Sequence, residues 1–220
     1  MIKDVEAYIK EVTKPTVMNY LSGIMTYQAT DLEGLWDDVN QKLGMQGRDV
    51  PPPFWAFSWA GGIGLARYLL DNPEVVKGKK VFDFASGSGL VAIAASKSGA
   101  KKLRACEIDP LAEVAMQMNA DLNGVRYKNY GLVDLEKPMT GYDVILAGDV
   151  CYEPVTAHRI IKWLRLCALE GVEVLMGDPG RAYMPTEGME MITEYVVPTC
   201  AATENVPTRN VQILRILGKY

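Results

Sequence analysis

The sequence predicts an α/β fold: a mainly parallel sheet with helices on both faces, entered through an N-terminal helical extension and closed by a C-terminal β-hairpin. Three observations carry that prediction. From residue 80 onward, apolar runs of strand length alternate with helical stretches, which implies right-handed crossovers and parallel strands. The run VFDFASGSGLVAIAASKSGA, residues 81–100, passes from a strand through a glycine-rich turn into a small-residue helix, the start of a nucleotide-type α/β unit. The tail, EYVVPTCAATENVPTRNVQILRIL, holds two consecutive strand-like runs with no helix between them. One of those strands must therefore run antiparallel to its neighbour.

In chain order, Ile2, Val5, Tyr8, Ile9 and Val12 recur at near-helical spacing, and TKPT ends that helix. Residues 31–44 form a second helical piece stopped at Gly44. The prolines of PPPFWAFSWAGG forbid regular structure at its start, and Phe54, Trp55, Phe57 and Trp59 crowd large aromatics just after them. IGLARYLLDNP is a helix stopped before Pro73. KVFDFAS is a strand and 89–98 a helix; KLRACEID is a strand, followed by a helix with Pro110 at its start and Gly124 at its end. VRYKNY is a short strand, YDVILAGD a buried one, 155–169 a helix, VEVLMGD a strand and 186–194 a helix. A chain of 220 residues with 49% hydrophobic content is long enough for one domain over residues 1–220. We divide it into an N-terminal extension, 1–50, and a ligand-binding core, 51–220.

A net charge of −4 argues against a nucleic-acid surface. One histidine, His158, and four cysteines without a C-x-x-C pair argue against a zinc site or a disulfide framework. No run reaches the roughly 20 apolar residues of a membrane span, and MIKDVEAYIK has neither signal-peptide nor transit-peptide character. We expect a cytoplasmic protein without metal, nucleic-acid or membrane partners.

Gly87-Ser88-Gly89-Leu90-Val91-Ala92 fits a dinucleotide-binding pattern, but Asp83 stands just before the turn. A carboxylate there would repel a pyrophosphate and suit a ligand with a positive group. S-adenosylmethionine, with its ammonium and sulfonium and no phosphate, is such a ligand. The turn Asp83-x-Ala85-Ser86-Gly87-x-Gly89 would cradle it. Glu107, ending the second core strand in ACEIDP, can accept from ribose hydroxyls, while Asp109 reads as a helix N-cap. Asp134, in GLVDLEKP, can reach an adenine amino group from the loop after the third strand. In ILAGDVCYEP a buried strand ends in Asp149, with Tyr152, Glu153 and Pro154 behind it. A carboxylate and an aromatic at that strand end can hold an amine beside a methyl donor. Glu153 is equally suited to capping the helix that starts near Pro154.

With Asp149-Val150-Cys151-Tyr152-Glu153 matching an Asp-x-x-Tyr/Phe-acid pattern, the chain resembles the class I S-adenosylmethionine-dependent methyltransferases, and among them protein lysine methyltransferases. PPFWAFSWAGG, DVCYE and GDPGR carry the resemblance; Ala60, where proline is expected before the glycine pair, and Ala85, where glycine is common, depart from it. The resemblance implies a Rossmann-like, seven-stranded sheet and S-adenosyl-L-methionine as cofactor. It implies that Trp59 closes over the cofactor and that Asp149 is the main catalytic position; in the mechanism this suggests, Asp149 aligns the amine and Tyr152 and Glu153 shape the pocket. It also implies a protein substrate, with the beta subunit of electron transfer flavoprotein as the expected one. A small-molecule amine is the alternative acceptor, and an NAD-dependent oxidoreductase the distant alternative activity. Arg181 of GDPGR either supports the substrate surface or caps a loop. Asp31, Glu33, Asp37 and Asp38 either steer a lysine-bearing loop or form a solvated helix face.

Overall fold

A computed structural model describes residues 2–45, 47–48 and 50–218. The N-terminal region holds helix α1 (Val5–Val12), strands β1 (Lys14–Met18) and β2 (Ile24–Gln28), and helix α2 (Leu32–Leu43). The core follows as α3 (Ala60–Asp71), β3 (Lys80–Phe84), α4 (Leu90–Lys97), β4 (Lys102–Ala105), α5 (Pro110–Leu122) and β5 (Lys128–Asn129). It ends with β6 (Val144–Gly148), α6 (Pro154–Leu169), β7 (Glu173–Asp178), β8 (Met189–Pro198) and β9 (Thr208–Ile216). The main sheet has seven strands in the order β5-β4-β3-β6-β7-β9-β8. Its first five strands are parallel, and β9 joins β7 and β8 antiparallel. The expected parallel sheet with a terminal hairpin is therefore present.

Both faces of the sheet are covered, as parallel strands require. Alternation along β6 divides the core: Val144 and Leu146 pack with α3 and α4, Ile145 and Ala147 with α6. Asp83, one residue from Phe82 and Phe84 on β3, consequently points to the α4 side. A third cluster joins Tyr8, Ile9, Leu35 and Val39 of the N-terminal region to Trp55, Phe57 and the α5 residues Leu111, Ala115 and Met118.

Three local expectations are corrected. The N-terminal extension is not purely helical: β1 and β2 form an antiparallel hairpin through a turn at Asn19–Leu21. Its strands are too short and mixed to announce themselves, and β2 is held by side chains of α5 instead. Asn119 Oδ1 accepts the Tyr27 amide at 2.7 Å, and Asn123 Oδ1 accepts the Met25 amide at 3.0 Å. Residues 189–194 belong to β8 rather than to a helix over 186–194, because pairing with β9 follows their period of two. The third core strand contracts to Lys128–Asn129.

Candidate functional site

Parallel strands β3 and β6 are neighbours, so the loops at their carboxyl ends meet. The cleft between them is lined by Trp59, Asp83, Ala85, Ser86, Gly87 and Asp149 among the predicted residues, together with Phe57, Gly62, Ser88, Leu90, Val91 and Gly148. It contains about 370 Å³ of space, part of it open to solvent.

The glycine turn is built by Asp83, which is only 1% exposed. Its Oδ2 accepts the Ser86 hydroxyl and, at 3.0 Å, the Ala92 amide in the first turn of α4. Asp83 is thus no solvated turn residue; it ties strand, turn and helix together while lining the cleft. Burial pushes its carboxyl up to about 7. Gly87 has φ +54 and nothing within 4 Å of the place a Cβ would occupy, which leaves room for a ligand against the backbone. Gly89 serves another purpose, because a Cβ there would collide with the Tyr127 hydroxyl. Ala85 keeps a left-handed φ of 51° without being glycine. Glu107 stands behind the turn, with Oε2 accepting the Gly87 amide at 2.9 Å and Oε1 the Ile108 amide at 2.7 Å. Burial raises its carboxyl above the ordinary value.

Asp149 lies in the left-handed region at φ 53°, an uncommon conformation for a non-glycine residue that tends to cluster at functional sites. Its surroundings are made by absent side chains. Gly61 and Gly62 at the start of α3 press against Gly148 and Gly177 at the ends of β6 and β7, and a Cβ on Gly61, Gly148 or Gly177 would strike backbone atoms of the facing segment. The helix start can therefore deliver the Gly62 N–H to Asp149 Oδ2 at 2.9 Å. Arg181 donates from Nε and Nη2 to Asp149 Oδ1 at 3.0 and 2.8 Å. Burial dominates over these partners and pushes the Asp149 carboxyl up to about 6. Asp149 is not the cap of the following helix. That role belongs to Glu153, whose Oε1 and Oε2 accept the Val155 and Thr156 amides at 3.1 and 2.7 Å. Asp109 likewise caps α5, as expected, by accepting the Leu111 amide at 2.8 Å.

Aromatic rings rim the cleft. Phe54 packs edge-on against Trp59 at 5.3 Å and against Tyr152 at 5.1 Å, and Trp59 Nε1 donates to the Phe54 carbonyl at 3.0 Å. The Arg181 guanidinium lies 5.8 Å from the Trp59 ring centre. Tyr152 is half exposed at this rim. Asp134 stands apart from the cleft lining: its carboxylate accepts the Glu136 amide at 3.0 Å and pairs with Lys137 at 3.2 Å. The acidic residues of the N-terminal region are locally engaged. Asp31 caps α2, Glu33 and Asp37 pair with Arg48, and Asp38 accepts the Tyr8 hydroxyl. That arrangement favours the helix-face reading over steering.

Sequence reasoning missed three groups. Glu204 in the β8–β9 connection is buried against Arg181. Asp178, fully buried at the end of β7, orients the Arg181 loop by accepting the Gly180 and Arg181 amides at 2.8 and 2.6 Å. Ile108 and Leu132 are 75% and 77% exposed just after β4 and β5, apolar side chains that an aromatic ligand ring could use. Only the last pair had a sequence signal, as large apolar residues in polar loops. No helix among the described residues is long and apolar enough to cross a membrane, and no metal-type cluster occurs among them.

Comparisons with known proteins point the same way. The family model for Ribosomal protein L11 methyltransferase (PrmA) matches residues 67–154. The electron transfer flavoprotein beta subunit lysine methyltransferase of Danio rerio is 40% identical over 161 residues, covering 70% of this chain and 62% of that protein. The Homo sapiens protein of the same name is 42% identical over 133 residues, covering 59% of this chain and 50% of that protein. The chain thus spans less than two thirds of the length of these relatives. Among solved structures, the candidate RNA methyltransferase PH1948 of Pyrococcus horikoshii is similar with a TM-score of 0.52 at 14% identity, covering 82% of this chain and 97% of that one. SMU.776, a candidate methyltransferase complexed with S-adenosylhomocysteine (SAH), is similar with a TM-score of 0.51 at 11% identity, covering 76% of this chain and 51% of that one.

Proposed function

We propose that this chain, which has the class I methyltransferase fold, transfers methyl groups from S-adenosylmethionine to lysine side chains of a protein, the beta subunit of electron transfer flavoprotein. The observation that carries this reading is the meeting of the Gly87 turn and Asp149 in one cleft. The names borne by relatives at about 40% identity support the substrate. The cleft also suits the cofactor. The space above Gly87 is a cradle that a side chain would fill, and Asp83 supplies a carboxylate for a cationic group where a pyrophosphate would be repelled. Glu107 would take the ribose, Trp59 would cover the ligand, and Ile108 and Leu132 offer apolar surface for the adenine. The exposed Asp134 would lie at the adenine end of the site. The cytoplasm is the compartment we propose.

When bound, S-adenosylmethionine supplies a methyl group on a sulfonium, which a neutral nitrogen accepts while the sulfur keeps the electron pair of the broken bond. The work of this chain is to bring that nitrogen in neutral and aligned. A lysine of reference pKa near 10.4 costs about 4.6 kcal/mol to deprotonate at pH 7, from roughly 3.4 units. Desolvation between Phe54, Trp59 and Tyr152 reduces that cost. Asp149, held by Gly62 and Arg181, accepts an N–H of the incoming amine and aims its lone pair; such orientation supplies much of the rate. Glu153 keeps the Tyr152 segment in place by capping α6.

The test mixes the full chain, tritiated S-adenosylmethionine and purified flavoprotein, then maps methylated residues by mass spectrometry. Label on beta-subunit lysines, cut at least tenfold in Asp149→Asn, is the expected result. Label on a small amine or another protein instead would refute the substrate and leave methyl transfer intact.

A further inference from the structure

Asp149 Oδ1 accepts two N–H groups of Arg181 and Oδ2 accepts the Gly62 amide. A carboxylate offers about four lone-pair sites, so one remains, on Oδ2. Whether it stays open depends on how Arg181 is held. The Arg181 Nη2 that touches Asp149 also donates to Glu204 Oε1 at 2.7 Å. Glu204 is 4% exposed at its side chain, and its Oε2 accepts Arg209 Nε at 3.0 Å. Its backbone is fixed as well, since the Glu204 amide donates to the Cys200 carbonyl at 3.0 Å. A carboxylate so buried is costly unless paired, yet this one shares in no helix cap and no strand pairing. Its partners are the two arginines, and one of them leads to Asp149.

We propose that Glu204 is a positioning residue for methyl transfer: by drawing Arg181 toward the β8–β9 connection it confines that guanidinium to Asp149 Oδ1 and leaves Oδ2 for the acceptor nitrogen. The proposal rests on the methyl-transfer reading above. Without the Glu204 charge the guanidinium loses its pull toward the β8–β9 connection; Asp149 is the carboxylate it already holds, and it rotates there into a two-oxygen fork that covers the free lone pair. Loss of Glu204 therefore removes acceptor alignment without touching the glycine turn. The charged groups facing Asp149 are Arg181 and Asp178, with the Cys151 thiol nearby and Glu204 and Arg209 behind the guanidinium. With Arg181 no longer shared with Glu204, more of its positive charge falls on Asp149, and the Asp149 carboxyl should ionise at lower pH.

The experiment compares the full chain with Glu204→Gln and Glu204→Asp. It reads SAH affinity by calorimetry, kcat and KM for the flavoprotein beta subunit, thermal melting, and the Asp149 titration by carboxyl NMR. Expected in Glu204→Gln are a kcat at least tenfold lower, an SAH Kd within twofold of the parent and an Asp149 titration moved to lower pH. Glu204→Asp, which keeps the charge, should recover part of kcat. A folded Glu204→Gln with parental kcat overturns the proposal. So does a kcat loss matched by an equal loss of SAH affinity, because a merely structural role predicts both together. A parent that binds SAH but methylates no protein or amine overturns the methyl-transfer reading itself, and does so before any variant is compared.

Discussion

The Gly62 amide meets Asp149 Oδ2 at 2.9 Å because neither the start of α3 nor the ends of β6 and β7 carry side chains where they touch. A buried carboxylate at a helix N-terminus gains a donor and a favourable dipole. Arg181 supplies the opposite charge on the other oxygen. Gly61→Ala should break this arrangement, since its methyl would strike the Gly177 carbonyl and the Asp149 carboxyl itself. Overpacking of this kind costs about 1–3 kcal/mol. We expect a lower melting temperature and a methyl-transfer rate at least tenfold down. A variant with parental melting and rate would show that α3 can back away from the strands without consequence.

Two glycines of one turn should respond in opposite ways. At Gly87 a Cβ meets no protein atom within 4 Å; at Gly89 it meets Tyr127. Both positions have positive φ, so each valine carries a backbone cost of about 1–2 kcal/mol. Gly87→Val should additionally fill the ligand's space, lowering SAH affinity at least tenfold while the protein stays folded. Gly89→Val should instead show its main effect in melting temperature. Calorimetry beside thermal melting separates the two; parental SAH affinity in Gly87→Val would remove the turn from the binding site.

Stability should fall as pH rises from about 4 to about 7 and then level off. Burial raises the carboxyls of Asp149 to about 6 and Asp83 to about 7, against about 3.9 in an unfolded chain. The native state therefore holds protons that the unfolded state has already released. The resulting stabilisation is full below about pH 4, falls by up to about 1.4 kcal/mol per unit for each group above that, and is exhausted once pH has passed about 6 for Asp149 and about 7 for Asp83. Carboxyls held below their ordinary value, such as Asp37 and Asp71, act outside this window. Denaturant titrations at pH 5, 6, 7 and 8 should show the decline, and Asp83→Asn, which cannot ionise, should flatten its upper part. An unchanged slope in that variant would mean that Asp83 is ionised throughout.

Strand and helix alternation was legible because both faces of the sheet are buried, so β3, β6 and β7 are written as apolar runs. The placement of Asp149 beside the glycine turn was equally readable, since it needs only β6 to neighbour β3. The N-terminal hairpin was not, because β2 is held by Asn119 and Asn123, some 90 residues away in sequence. Glu153 could be read two ways from DVCYEP, and only the positions of its oxygens on the Val155 and Thr156 amides decide for the cap. Glu204 was silent for another reason. A single acid in AATENVP looks like loop solvation until folding sets Arg181 and Arg209 on either side of it.

Asn119 connects the two halves of this picture and gives the last prediction. It is wholly buried on α5. Its Nδ2 donates to the Ser88 carbonyl in the glycine turn at 2.8 Å, and its Oδ1 accepts the Tyr27 amide of β2 at 2.7 Å. One side chain thus anchors the turn to the N-terminal hairpin. Asn119→Ala leaves the buried Ser88 carbonyl without its partner, at about 1–3 kcal/mol, and the partly buried Tyr27 amide without its own. The hairpin can offset little of that, because a two-stranded sheet is marginal by itself. We expect a clear drop in melting temperature and faster amide hydrogen exchange at Tyr27, together with weaker SAH binding as the Ser88 end of the turn loosens. Measured at alkaline pH, where even a buried carboxyl ionises, Asn119→Asp should restore the bond to Tyr27 but not the one to Ser88, since a carboxylate accepts and does not donate. Its hairpin exchange should therefore lie closer to the parent than that of Asn119→Ala, while SAH affinity stays low. If both variants bind SAH as tightly as the parent, the N-terminal region is only packed beside the cleft and gives the turn no support.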